Sequence, residues 1–134
     1  MAKLKVPVIA IITGEGCSGG ALGLAVADKV FLLEHAYYTV ISPEGCASIL
    51  WRDATKASEA ADALRITAKD LLHFDIIDGE IKEPTGGAHT NYDEISATMK
   101  KTILDSLDEL SKFSVDELKE NRYQKFRKMG VFIQ

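Results

Sequence analysis

Residues 13–23, Thr-Gly-Glu-Gly-Cys-Ser-Gly-Gly-Ala-Leu-Gly, constrain this chain more than any other stretch, because an apolar run enters them and another leaves. Residues 6–12 are rich in Val and Ile, the pattern of a strand buried on both faces. Gly14, Gly16, Gly19 and Gly20 then free the backbone to turn sharply and let a ligand come close to its amides. A helix starting near Ser18 would aim unpaired N–H groups and the positive end of its dipole out of the turn, where they stabilise an oxyanion. The same glycines also suit an ordinary strand-to-helix turn that is simply packed tightly. Neither phosphate-loop spacing fits. No Lys follows for GxxxxGK[ST], and Gly14, Gly16 and Gly19 match GxGxxG only as a string, with Glu34 near the place of the acidic residue that a dinucleotide fold wants.

Three blocks, VPVIAIITGEGCSGGALGLAVADKV, YYTVISPEGCASILW and IIDGEIKEPTGGAHTN, followed by a final RYQKFRKMG, occur in that order. Together they resemble the carboxyltransferase alpha subunits of multisubunit acetyl-CoA carboxylases, over essentially the whole chain. The resemblance implies an α/β fold, a crotonase/ClpP-like spiral of ββα units that is incomplete here. Residues 1–134 would be the C-terminal part of that domain, with C-terminal helices over 92–129, and full subunits carry a long segment ahead of the position matching Met1. It further implies transfer of a carboxyl group from carboxybiotin, on a biotin carboxyl carrier protein, to acetyl-CoA, giving malonyl-CoA for fatty acid synthesis. On this resemblance the Gly19 and Gly20 amides hold the ureido oxygen of biotin. Gly16, Cys17 and Ser18 flank them as substrate-binding positions, and a separate beta subunit holds the acetyl thioester. Preorganised donors of this kind are worth on the order of 3 kcal/mol each to a reaction that builds charge on an oxygen. The released biotin nitrogen can itself take the methyl proton, so no protein base is required.

Composition agrees with one cytoplasmic domain. At 134 residues and 46% hydrophobic content, the chain is long enough for one core and too short for two. A net charge of −4 argues against nucleic acid or an anionic membrane as a partner. No apolar run is long enough to span a bilayer, and Met-Ala-Lys-Leu-Lys has no signal-peptide core. Cys17 and Cys46 form neither a disulfide framework nor a CxxC zinc pair, so no metal is expected. Cys17 could gain reactivity from the helix start, or simply fill a tight turn; the resembling family often has glycine there, which argues against a catalytic thiol.

The remaining chain reads as packing elements. Residues 21–26 form a short helix that is apolar nearly all round and so should be buried, ended by Asp28 and Lys29. Residues 30–33 and 37–41 read as strands joined by a turn holding a solvated His35. Ser42-Pro43-Glu44 starts a helix carrying Trp51 into a core or interface. Thr67 with Asp70, Asn91 with Glu94, and Ser114 with Glu117 are capping pairs at three further helix starts. Asp78-Gly79 predicts a hairpin turn or a kink, and His73 and His89 read as surface groups. The Arg122, Lys125, Arg127, Lys128 cluster reads as a normal basic helix end or as an anion or partner site.

Two other functions fit parts of this pattern. A Clp-type serine peptidase would use Ser18 as nucleophile, but needs a histidine base where a rough alignment puts Ser42. A non-catalytic fragment would expose apolar surface that the preceding units cover, and so would form a homo-oligomer or bind the beta subunit.

Overall fold

The computed structural model describes residues 1–130. Five short strands and six helices alternate through it. Strands β1 (Ile9–Ile12), β3 (Lys29–Leu33) and β5 (Gly79–Ile81) make one sheet in the order β1-β3-β5. Strands β2 (Glu15–Cys17) and β4 (Tyr37–Thr39) make a second. All three pairings are parallel, with Ile9 opposite Lys29, Phe31 opposite Gly79 and Cys17 opposite Thr39. Parallel neighbours need crossovers rather than hairpins, so helices fill the intervals: α1 (Ser18–Leu24), α2 (Pro43–Trp51), α3 (Ala57–Leu64) and α4 (Ala68–His73). Helices α5 (Tyr92–Leu110) and α6 (Val115–Arg127) follow β5.

The core lies where β3, central in its sheet, meets α4 and the start of α5. Val30, Leu32 and Leu33 are buried against Leu71, Ile81 and Ile95. A smaller core holds Cys46 and Ala47 of α2 against Ala60 of α3. The capping pairs form as the sequence dictates. Ser42, Thr67, Asn91 and Ser114 each accept the backbone N–H three residues on, and Glu117 returns the bond to the Ser114 N–H at 2.8 Å.

Several expectations give way. Residues 6–12 are not a strand buried on both faces: β1 starts only at Ile9, is half-buried throughout, and lies at a sheet edge, so one flank has no neighbour. Helix α1 ends at Leu24, before Asp28, and buries none of its residues; Leu24 is 67% exposed because no described element packs over that face. Trp51 is 41% exposed at the end of α2 and sits in neither core, so of the two places expected for it only the core gives way. No hairpin forms at Asp78-Gly79. Gly79 begins a strand parallel to β3, and a Cβ there would come within 2.9 Å of the Phe31 ring, so this glycine serves close packing.

The basic cluster divides. Arg122 is 2% exposed and Lys125 is half-buried, so neither belongs to a solvated helix end. Arg122 donates to both oxygens of Asp28 and to the carbonyls of Met1, Leu4 and Val6. Lys125 pairs with Asp78. The two cations clamp the N-terminal arm and the edge of β5 to α6, while Arg127 and Lys128 stay exposed.

Candidate active site

The glycine turn is built from the end of β2 and the start of α1, with no residue between them. Cys17 closes β2 in register with Thr39, in extended conformation (φ −131°, ψ 148°), and offers no side-chain cap to α1. Ser18, the first residue of α1, has φ +63°. None of Gly14, Gly16, Gly19 and Gly20 has a positive φ. The sequence assigned the sharp turn to glycine freedom, yet the residue in the left-handed region is the serine.

The glycines therefore serve other ends. Gly16 is buried, and a Cβ on it would meet Ile12 Cγ2 at 2.9 Å and Tyr38 Cδ2 at 3.2 Å, so it is small because the two sheets meet there. Gly19 and Gly20 are different. Both are exposed, and a Cβ built on either meets nothing within 4 Å. Glycine inside a helix costs about 1 kcal/mol relative to alanine, and neither packing nor backbone conformation calls for it here. Both amides lie in the first turn of α1, where N–H groups have no intrahelical acceptor, and no side chain or loop carbonyl accepts from them. Gly19 and Gly20 are thus exposed, with open space where a side chain would stand and no described acceptor for either amide.

A cavity of about 530 Å³ lies beside this turn, between β1, β2 and the inner face of α1. Gly16, Cys17 and Ala21 line it, while Gly19 and Gly20 stand outside its wall. A second, apolar cavity, also about 530 Å³, runs under the other face of α1 between Leu22, Tyr38, Leu71 and Phe126. Cys17 is half-buried and free, Cys46 buried and free.

Histidines do not join the turn. His35 sits in the β3–β4 turn, where its side chain is 65% exposed, but its Nδ1 lies 2.6 Å from Glu83 Oε2. Glu83 also accepts the His35 backbone N–H at 2.7 Å and the Ala88 N–H at 2.9 Å. Burial pushes the Glu83 carboxyl up, but these bonds outweigh it and hold the group below the usual carboxylate range. His35 and His89 line a separate cavity with Thr13 and Gly86. The Ser18 hydroxyl makes no hydrogen bond to a histidine among the described residues, so the serine-peptidase reading has no base to draw on. The Glu83 anchor was missed in the sequence, since its partner lies 48 residues away and no local spacing signals it.

Among the described residues no three His, Cys, Asp or Glu side chains converge to hold a metal ion, and no helix is long and apolar enough to cross a membrane. In fold, the chain is similar to the transcarboxylase 12S core solved with methylmalonyl-coenzyme A and methylmalonic acid bound. The TM-score is 0.65 at 20% identity, over 83% of this chain and 22% of that one. A second transcarboxylase 12S structure, with hydrolysed methylmalonyl-coenzyme A, gives 0.62 at 21% identity, over 80% and 19%.

The parallel strands and the strand-to-helix junction define part of an α/β domain with the fold of the transcarboxylase 12S core. Residues 1–130 match the family described as acetyl co-enzyme A carboxylase carboxyltransferase-like, and the chain belongs to that family. Among its relatives, the acetyl-coenzyme A carboxylase carboxyl transferase subunit alpha of Clostridium beijerinckii is 61% identical over 98% of this chain and 48% of its own length. That of Staphylococcus haemolyticus is 52% identical over 100% and 42%. The chain therefore spans less than half the length of these curated relatives.

Proposed function

We propose that this chain is the biotin-facing part of an acetyl-CoA carboxyltransferase. It would act in the cytoplasm with a beta subunit and a biotin carboxyl carrier protein, moving a carboxyl group from carboxybiotin to acetyl-CoA to give malonyl-CoA. The observation that carries this reading is the Gly19–Gly20 pair, which nothing in the fold requires and whose amides have no described acceptor. A flat ureido ring fits such a place, because its oxygen can approach two main-chain donors with no Cβ in the way. Held there by the Gly19 and Gly20 amides, carboxybiotin would supply the carboxyl group for the acetyl methyl carbon, and its ureido nitrogen, left with the electron pair of the broken N–CO2 bond, would take up the methyl proton. The chain's own contribution is to hold the developing negative charge on the ureido oxygen with the Gly19 and Gly20 N–H groups. Gly16 sets the depth of the turn by its packing, Cys17 walls the adjoining cavity, and Ser18 joins β2 to the donor pair.

The test is malonyl-CoA-dependent carboxylation of free biotin by the full alpha subunit carrying this sequence, assayed with its beta subunit. Turnover is expected, and Gly19→Pro should abolish it because the substitution deletes one donor. Absence of turnover would remove the catalytic reading, and undiminished turnover in Gly19→Pro would remove the role given to the pair.

A second reading is supported by the exposed apolar side chains on α1, on α2 and just after β4: Leu24, Val40, Ile49, Leu50 and Trp51. On this reading the chain by itself is a non-catalytic association unit, forming homo-oligomers or binding the beta subunit through that surface. Size-exclusion chromatography with light scattering should show concentration-dependent association. A monomer at every concentration would count against it.

A further inference from the structure

We propose that the apolar cavity beneath α1 binds an uncharged acyl group, an alkyl chain ending in an ester-type carbonyl whose oxygen accepts a hydrogen bond from the Tyr38 hydroxyl. The cavity, about 530 Å³, has the size of a small-molecule site and lies between α1, β4, α4 and the end of α6. It shares only Ala25 with the cavity beside the glycine turn, and the proposal does not rest on the role given to Gly19 and Gly20. Leu22 and Val26 of α1, Leu71 of α4, and Phe126 and Met129 wall it. Leu22 and Val40 are exposed and mark its open side.

Among the described residues that line this cavity, only Tyr38 and Thr39 carry polar side chains, and none is charged. The Thr39 hydroxyl is used, since it donates to the Ile41 carbonyl at 3.0 Å. Tyr38 differs. It is 9% exposed, its ring belongs to the main core, and its hydroxyl has no hydrogen-bond partner among the described residues. No described side-chain polar atom is both sealed from solvent and unpartnered, so this hydroxyl must meet open space, and the space its side chain lines is the cavity. A buried tyrosine usually finds a partner for its O–H, and leaving one without costs free energy. Burial alone pushes the phenol up, so it stays protonated and offers a donor. The complement of a donor is an acceptor oxygen, and the complement of aliphatic walls is an alkyl chain. A carboxylate head would find no counter-charge among the lining residues, and an unpaired charge is far more costly to bury than a carbonyl. An uncharged carbonyl therefore fits where an ionised acid does not.

The experiment is titration calorimetry of methyl octanoate and of ionised octanoate into the full alpha subunit carrying this sequence. The ester should bind saturably at one site, and the acid at least about 10-fold more weakly. Tyr38→Phe keeps the ring and removes the donor, so it should weaken the ester about 3- to 10-fold. Its thermal midpoint should not fall, because the deleted hydroxyl had no partner to lose. Val40→Trp fills the open side and should weaken the ester more than about 10-fold. No saturable binding, octanoate binding as tightly as the ester, or an unchanged affinity in Tyr38→Phe would each overturn the proposal. If Tyr38→Phe does not fold, Val40→Trp decides: weakened binding supports the site and unchanged binding overturns it. Binding that appears only after residues 131–134 are deleted, or only where the subunit is monomeric, also overturns it, because the chain itself or a second copy then fills the cavity.

Discussion

Arg122 donates to both carboxylate oxygens of Asp28, from Nε at 2.9 Å and Nη2 at 2.7 Å, with both side chains almost wholly removed from solvent. The fork is fully used, since Nη1 reaches the Met1 and Leu4 carbonyls at 3.1 Å and Nη2 the Val6 carbonyl at 3.0 Å. Asp28 in turn accepts the Val8 N–H at 2.7 Å. One buried cation thus ties the arm before β1, the loop before β3 and α6 into a single knot.

Replacing Arg122 by Leu leaves a buried carboxylate without its cationic partner and takes a donor away from three carbonyls, of which Met1 keeps the Leu4 N–H. Such a break costs about 3–5 kcal/mol. Arg122→Lys should recover only part of that, because a single ammonium cannot span the same acceptors. Urea unfolding should show a lower midpoint at unchanged slope, with the order parent, Lys, Leu; equal midpoints would show the pair to be dispensable.

The glycines should sort into two groups by alanine substitution. Gly19→Ala and Gly20→Ala place a methyl in open space at ordinary φ, so each should stabilise the fold by up to about 1 kcal/mol. The same methyl should lower carboxylation by obstructing the approach to the amides. Gly16→Ala and Gly79→Ala force contacts of 2.9 Å with Ile12 and Phe31 and should destabilise by about 1–3 kcal/mol. Thermal melts of the four variants beside the biotin assay test the split. A destabilised Gly19→Ala would mean that the fold, after all, needs that glycine.

Acid should loosen the loop that Glu83 anchors. Its carboxyl lies below its ordinary value of 4.5 in the folded chain, despite burial, because His35 and Ala88 bind the charged form. A group depressed on folding gives stability that is fully present above the unfolded value and lost as pH falls through the folded one. Stability should therefore decline below about pH 4.5. Glu83→Gln should be weaker at pH 7 and should lose less on acidification. Glu34, Asp53, Asp70 and Glu117 are also held low by hydrogen bonds and leave a residual slope. Urea midpoints from pH 7 to pH 3 give the comparison, and identical slopes in parent and variant would contradict the anchor.

Ser114→Ala should cost about 1 kcal/mol, since it removes one arm of the reciprocal bond that starts α6. Because α6 carries Arg122 and Lys125, amide exchange should rise both in its first turn and in residues 1–6. Exchange confined to α6 would show the clamp to be independent of the cap.

What the sequence showed and what it hid follow from range. Capping pairs act over three residues, and all four were legible, as were β3 and the starts of α5 and α6. The buried roles of Arg122 and Glu83 were not legible, because their partners lie 94 and 48 residues away and a basic or acidic residue on a helix or loop looks the same whether paired or solvated. Composition made α1 look buried, but only a neighbour can bury a helix, and none of the described elements covers its outer face. The helix start at Ser18 was located correctly, while β2 inside the glycine run was missed and the source of the bend was misassigned, since glycine is the usual left-handed residue and the chain uses a serine instead.

The all-parallel pairing of β1, β3 and β5, and of β2 with β4, governs how this chain must assemble. No strand can find its partner through a two-residue loop, so each ladder waits until the whole intervening segment has been drawn in. The last strand to join the larger sheet closes across residues 34–78. The sheets should therefore form at rates set by the entropy of closing long loops and not by local zippering.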